Sequence, residues 1–305
     1  MQITVVIPTY NRLDYVQQAI ESVLAQTYQN FICLVVNDHP ADASLLEQII
    51  ANFQDRRLSL INRPQTGGGN AARNTGITAA EGELIAFLDD DDCWLPHKLQ
   101  LHVEQHLANP QAGLVFSSVI KRWSDNLIPP KVTLAQIPPQ GVVWGMRQGK
   151  FCPTTTSAVT VRRSCFIDCG LFDINLVSFQ DWDMWYRIAL KYDFVCIEEA
   201  LLVFRQHLGD RTSKTKARRL QGLKQLIDKW QDDLVDKSQF EAIFIKDTYA
   251  NSIYNSILRS QKKAALQDWY TLLKLTRNFS DIPLLSKLMI MWLINGKNYG
   301  RISNP

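Results

Sequence analysis

Four consecutive carboxylates, Asp89-Asp90-Asp91-Asp92, follow the apolar run Leu84-Ile85-Ala86-Phe87-Leu88 directly. Packed together they repel one another unless a cation offsets them. An all-oxygen donor set suits Mg²⁺ or Mn²⁺, and Mg²⁺ commonly takes one or two carboxylates and completes its shell with water and substrate phosphates. A solvated acidic turn is the plainer alternative, but the position just past a buried strand favours the metal.

Other segments carry complementary chemistry. Gly67-Gly68-Gly69-Asn70-Ala71-Ala72-Arg73-Asn74 joins a glycine cluster to a helix start, where close-lying amides bind an anion and Arg73 suits a pyrophosphate. It is neither a P-loop nor a G-x-G-x-x-G segment. Asp38, at a strand end, can accept a nucleobase N–H or serve as a turn residue. In Phe179-Gln180-Asp181-Trp182-Asp183-Met184-Trp185, Asp183 reads as a helix cap. Asp181, flanked by aromatics that limit solvent, reads as a general base. Thr154 to Ser157, Thr155 among them, present hydroxyls either to a sugar or simply to solvent from a strand. His102 and His106 share a helical face without an H-E-x-x-H pattern and read as surface residues.

The elements that position these groups alternate. Ile3 to Ile7 is a β-branched run ending at Pro8, a strand buried on both faces. A helix over 15–26, a strand over 31–36, a helix over 44–53, a strand over 58–61, a helix over 70–80 and a strand over 84–88 follow. Such alternation predicts a mostly parallel, doubly wound sheet, with ligands beyond the carboxyl ends of its strands. After a helix over 96–109 and a strand over 114–118, residues 123–150 lack periodicity. A β-rich stretch at 156–161, a helix over 184–191 and short strands at 194–197 and 201–205 come next, and the chain reads as helical from about 214. No linker divides the first 210 residues.

The chain has 305 residues, 46% of them hydrophobic and 21% charged, which excludes a disordered or low-complexity class. A formal charge of +3 gives no indication of a nucleic-acid partner. Six scattered cysteines without a C-x-x-C pair and no secretory leader point to a reduced, cytosolic compartment. No apolar run reaches the roughly 20 residues of a membrane span.

Val5-Val6-Ile7-Pro8-Thr9-Tyr10-Asn11-Arg12, Asn37-Asp38, Gly69 to Asn74, Phe87 to Asp92 and Gln180-Asp181-Trp182-Asp183 together, in that order, resemble the family 2 glycosyltransferases of the GT-A fold. The resemblance spans residues 3 to about 207. It implies an α/β GT-A (Rossmann-like) catalytic domain over 1–212, with a nucleotide-sugar half to about 118 and an acceptor half from about 119, followed by a helical C-terminal extension over 213–305. It implies inverting transfer of a sugar from a nucleoside-diphosphate donor, a UDP-sugar, to a hydroxyl of a carbohydrate or lipid-linked glycan, as in polysaccharide or glycoconjugate biosynthesis, with Mn²⁺ or Mg²⁺ at the diphosphate. Nucleotidyl transfer, or sugar and nucleotide binding without turnover, are the alternatives.

Carried over by residue, the resemblance puts Pro8, Tyr10 and Arg12 in the nucleotide pocket with Asp38 facing the base, and groups Gly69, Asn70, Arg73, Asp89 and Asp90 with the donor contacts. Asp91 is the implied metal ligand and Asp181 the implied base. Gln180, Trp182 and Asp183 fall on the acceptor side with Thr155. His207 reads equally as a metal or diphosphate ligand and as an ordinary hydrogen-bonded histidine. Asn37-Asp38-His39-Pro40 departs from the usual Asp-Asp-Gly-Ser, and Gln180 from the usual Glu. Trp144, Phe179, Trp182 and Trp185 form either an acceptor wall or core. The basic residues Lys214, Lys216, Arg218 and Arg219 and the apolar run 282–294 read either as a contact with the inner membrane face or as packing on the domain or a second copy.

Overall fold

A computed structural model describes residues 1–123, 129–206, 215–259 and 261–276. The chain divides into two compact units. The first comprises residues 1–146, 150–175 and 180–207; the second comprises 147–149, 176–179 and 208–305.

The first unit opens with β1 (Ile3–Thr9), α1 (Leu13–Leu24), β2 (Phe31–Asn37), α2 (Ala43–Phe53), β3 (Leu58–Asn62), α3 (Gly69–Ala79) and β4 (Leu84–Phe87). β5 (Cys93–Trp94), α4 (Lys98–Ala108), β6 (Ala112–Trp123), β7 (Lys131–Thr133) and α5 (Val142–Arg147) come next. β8 (Val159–Arg162), α6 (Arg163–Cys169), α7 (Gln180–Ala189) and β9 (Asp193–Gln206) complete it. The sheet runs β3-β2-β1-β4-β8-β6-β9-β5, with β7 beside β6. β1 pairs in parallel with β2 and β4, and β2 with β3, while β8 lies antiparallel between β4 and β6.

The reason for this architecture is visible in β1, where every residue is buried. A β-branched strand covered on both faces suits the centre of a parallel sheet. Val16, Ala19, Ile20 and Val23 of α1 pack onto it as one apolar stripe, joined by Val35, Leu46 and Leu84. Each valine, leucine or isoleucine side chain so removed from water contributes about 1.5–3 kcal/mol.

Several expectations need correction. β1 continues through Pro8, paired with Val36, to Thr9; the β4 side of the ladder has already ended at Val6 opposite Phe87, so a residue without an N–H is tolerated there. The two short strands expected at 194–197 and 201–205 are one strand, β9. Its pairing with β6 jumps from Ile197 to Ala200, and the exposed Glu198 and Glu199 bulge out between them. Residues 129–150, read as aperiodic, contain β7 and α5.

α3 is pressed tightly against β1. A Cβ on Gly76 would sit 2.3 Å from Val6 Cγ1, so only glycine permits this approach. At the start of the same helix Gly68 has φ +84°, a conformation that L side chains rarely adopt.

The second unit contains α8 (Lys216–Lys229), α9 (Lys237–Leu258) and α10 (Lys262–Thr276). Asp236 caps α9 by accepting the Gln239 N–H at 2.9 Å. Ile253 and Leu272 centre a small core with Tyr249, Ile257 and Trp269. Of the basic cluster, Lys216 pairs with the buried Asp268, and Arg219 with Asp247 at 2.7 Å. Lys214 and the run 282–294 lie outside the described residues. Among those described, no helix is long and apolar enough to cross a membrane.

Candidate active site

The carboxyl ends of β1, β2 and β4 gather the polar residues. After β4 the chain turns at once, with the Asp92 N–H donating to Asp89 O at 3.0 Å. Side chains of this turn point to different partners. Asp90 is buried: its Oδ2 accepts Thr9 Oγ1 at 2.9 Å and its Oδ1 accepts Arg12 Nη1 at 2.9 Å. The same Arg12 nitrogen reaches Asp91 Oδ2 at 3.1 Å. Asp89 accepts Arg73 Nη2 at 2.5 Å. Asp92, fully buried, accepts Ser157 Oγ at 2.7 Å and the Arg205 N–H at 3.1 Å.

The mutual repulsion expected of the run is therefore met in part by guanidinium groups, and charge count alone does not demand a metal. Burial pushes the Asp90 carboxyl up to about 6, against the pull of Arg12 and with a further push from Asp91. An inward carboxyl of this kind braces the turn, whereas the sequence grouped Asp90 with the donor contacts.

Asn11, at φ +50°, lets the chain double back after β1 so that Arg12 reaches the turn. Asparagine tolerates this left-handed conformation better than most residues. Tyr10 stays exposed and meets the His39 ring edge-on, with centroids 4.8 Å apart. Asp38 is buried and its carboxylate accepts the Gly67 N–H at 3.0 Å, the Gly68 N–H at 2.7 Å and an Arg63 guanidinium nitrogen. A nucleobase N–H reaching this carboxylate has to share it with the glycine loop or displace that loop. Glycine amides expected to face a phosphate are thus partly spent on Asp38.

Gly69 opens α3, and the absent Cβ leaves room for Arg73, whose Nη1 would lie 3.2 Å from it. Asn70, expected at the donor, commits its Nδ2 to Asp173 O at 2.8 Å. Asn74 makes two bonds to one residue, Nδ2 to Phe172 O at 2.8 Å and Oδ1 from the Phe172 N–H at 3.0 Å.

α7 begins at Gln180, earlier than the expected Met184, after Phe179 takes φ +61°. Asp181 and Asp183 therefore fall within the first helical turn. Asp183 is not a cap: it is buried and accepts Arg187 Nη2 at 2.9 Å, one turn on. That guanidinium also holds the Leu171 carbonyl at 2.9 Å. Asp181 is half-buried. Desolvation pushes its carboxyl upward, opposed by the Trp182 N–H and the Arg73 charge, while Asp89 adds a push up. Desolvation, and then the Asp181 charge, raise the thiol of the half-buried Cys152.

Gln180 and Trp182 share the first turn of α7 and are half-buried, whereas Trp185 is completely buried and belongs to the core. Trp144 is partly exposed. Thr155 is half-buried and precedes the 3₁₀ turn Thr156–Ala158, while Thr154 Oγ1 donates to Ser117 O at 3.0 Å. His207 lies outside the described residues. His102 and His106, expected at the surface, are both buried against β8, their ring nitrogens 2.9 and 3.0 Å from Thr160 Oγ1.

No motif in the sequence marks Arg63, and Asn74 and Ser157, though within the quoted segments, take roles that those segments do not suggest. Each acts through a partner far along the chain, so no local spacing announces it.

A family model, glycosyl transferase family 2, matches residues 4–169. The chain belongs to that family. As a family 2 glycosyltransferase it is 30% identical over 240 residues to an uncharacterized glycosyltransferase of Methanocaldococcus jannaschii, covering 75% of this chain and 80% of the relative. It is 36% identical over 107 residues to the Escherichia coli UDP-Glc:alpha-D-GlcNAc-diphosphoundecaprenol beta-1,3-glucosyltransferase WfgD, spanning 35% of this chain and 42% of that one. The chain spans 35% of a Rickettsia felis glycosyltransferase. Among solved structures, S. aureus TarS 1-349 in complex with UDP-GlcNAc superposes with TM-score 0.60 at 16% identity, covering 91% of this chain and 92% of that one. A Pyrobaculum calidifontis mannosyltransferase in complex with GDP-Man and Mn²⁺ gives 0.59 at 20% identity, covering 98% and 82%. The shared fold is GT-A.

Among the described residues, no three His, Cys, Asp or Glu side chains gather to hold a metal by themselves. The donor set nonetheless fits a hard cation: Asp89 and Asp91 offer carboxylate oxygens, and Mg²⁺ draws its remaining ligands from water and phosphate.

Proposed function

We propose that this family 2 glycosyltransferase moves a sugar from a nucleoside-diphosphate donor, with UDP as the nucleotide, to a hydroxyl of a carbohydrate or lipid-linked glycan, with inversion at the anomeric carbon. One observation carries the reading. At the carboxyl ends of β1 and β4, Arg73 of α3 pairs with Asp89 at 2.5 Å while Arg12 reaches Asp90 at 2.9 Å and Asp91 at 3.1 Å, so cations and carboxylates gather where such sheets bind their ligands.

In this reading Pro8, Tyr10 and Asp38 border the nucleotide, and Arg12 braces the acidic turn from within that pocket. Arg73 and the start of α3 at Gly69 and Asn70 attract the diphosphate. Asp89 orients the ribose. Asp91, with Asp89 beside it, would hold Mn²⁺ or Mg²⁺, and such a cation offsets the charge that develops on the departing diphosphate. Asp181 accepts the acceptor's hydroxyl proton at its carboxylate as the oxygen attacks. Thr155, Gln180 and Trp182 border the acceptor. WfgD, named for a UDP-Glc donor and a diphosphoundecaprenol acceptor, supports the choice of UDP and of a lipid-linked glycan.

The test is a panel of nucleotide sugars with and without Mn²⁺, first by thermal shift and then by product analysis. Nucleoside diphosphate release that vanishes in Asp181→Asn is the expected result. Pyrophosphate release would mean nucleotidyl transfer instead, and binding without donor consumption across acceptors would mean a non-catalytic protein.

A further inference from the structure

Two helices of the first unit face the proposed reaction from different sides. α3 carries Arg73 on the donor side and α7 carries Asp181 on the acceptor side. Neither helix follows the other directly in the chain, so something must set their register.

Residues 169–173 lie between them and are gripped by both. From α3, Asn74 bonds the carbonyl and the N–H of Phe172, a two-point grip like that of a neighbouring strand. One turn earlier, Asn70 holds the Asp173 carbonyl. From α7, Arg187 holds the carbonyls of Cys169 and Leu171.

Phe172 passes the constraint on. Its buried ring meets Trp185 of α7 edge-on, with centroids 5.6 Å apart, and Phe87 of β4 at 5.7 Å. Trp185 stands four residues after Asp181, one helical turn along the same face. The seat of Trp185 therefore sets the direction in which Asp181 projects. A fully buried ring of this size has little freedom to shift, because protein interiors are close-packed.

We infer that Asn74 is a positioning residue: its side-chain amide, through Phe172 and Trp185, holds Asp181 in register with the donor side of α3. The inference rests on the proposed roles of Asp181 and Arg73. Asn74 itself touches no reacting atom in this scheme. Its effect is on attack geometry, where a displacement of about 1 Å can cost on the order of 100-fold in rate.

The experiment compares wild type, Asn74→Ala, Asn74→Asp and Asp181→Asn for kcat, donor KM, melting temperature and amide hydrogen exchange over 170–183. Asn74→Ala is expected to speed exchange over 170–175 and at the start of α7. It should lower kcat by about 10- to 100-fold while donor KM stays within about threefold. Asn74→Asp keeps the acceptor for the Phe172 N–H but loses the donor to its carbonyl, and should fall between the two. It also serves as the readable variant should Asn74→Ala fold poorly. Unchanged kcat in both variants would overturn the inference, as would a rise in donor KM at constant kcat or a loss of kcat without faster exchange over 180–183. Wild-type turnover in Asp181→Asn would instead remove the base assignment, and the positioning role with it, while leaving the exchange result for Asn74→Ala intact.

Discussion

Ser157 Oγ donates to Asp92 Oδ2 at 2.7 Å, with both residues completely closed to solvent. The same oxygen accepts the Asp89 N–H at 3.0 Å, so one hydroxyl fixes both ends of the acidic turn. Ser157→Ala leaves a buried carboxylate with fewer donors and should lower stability by about 1–3 kcal/mol. Urea denaturation measures that loss directly. Transfer should fall as well, because Asp89 and Asp91 lose the anchor that sets their backbone. A variant as stable and as active as wild type would deny Ser157 this role.

The pH profile gives an independent view of Asp181. Desolvation is the largest influence on its carboxyl and raises it above the ordinary aspartate value of about 3.9. A general base works only when ionised, so activity is present above the raised pKa and is lost as pH falls through it. The acid limb of kcat/KM should lie above that ordinary value. Arg73 pulls the same carboxyl down, so Arg73→Gln should move the limb to still higher pH. A limb that ignores Arg73 would separate the two residues.

How far the sequence revealed this site depends on whether a residue acts locally. β1, α1 and β2 are legible because an apolar run or stripe declares its own burial, and the start of α3 because a glycine cluster precedes it. Asp89 to Asp92 stood out because they follow such a run. Nothing local tells Asp90, turned inward to Thr9 and Arg12, from Asp89, which pairs with Arg73. That distinction comes from β1 and β4 lying side by side. α7 starts early because of a left-handed residue at Phe179, a conformation no propensity suggests for phenylalanine. His102 and His106 read as surface residues because no H-E-x-x-H pattern accompanies them, and the hydroxyl that takes them into the interior, Thr160, lies more than 50 positions away.

That histidine pair makes stability dependent on pH. Burial lowers both imidazoles, His106 to about 4, with the Arg162 charge adding to the effect there and Lys98 contributing at both. The buried Lys98 lies over the Trp94 ring at 4.3 Å. In the unfolded chain the histidines take up protons near 6.5, whereas the folded protein resists until lower pH. Their contribution is therefore complete above pH 6.5 and is lost as pH falls towards 4, on the order of 3 kcal/mol for His106. Unfolding free energy measured from pH 7.5 to 4.5 should decline, and His106→Gln should flatten the curve. An equally steep decline in that variant would place the sensitivity elsewhere.

Gly76 and Val6 offer a test of how closely α3 must approach the sheet. A Cβ at position 76 would lie 2.3 Å from Val6 Cγ1 and 2.8 Å from Cγ2, too near for either to remain. Gly76→Ala therefore either lifts α3 from β1 or forces Val6 off its rotamer, at a cost of about 1–3 kcal/mol. A lifted helix carries Arg73 and Asn74 with it, so donor KM should rise and kcat should fall together. Val6→Ala removes the two methyl groups that obstruct. In combination with Gly76→Ala it should recover part of both losses, giving a non-additive cycle in stability and in KM. Strict additivity would mean that the two residues do not set this contact.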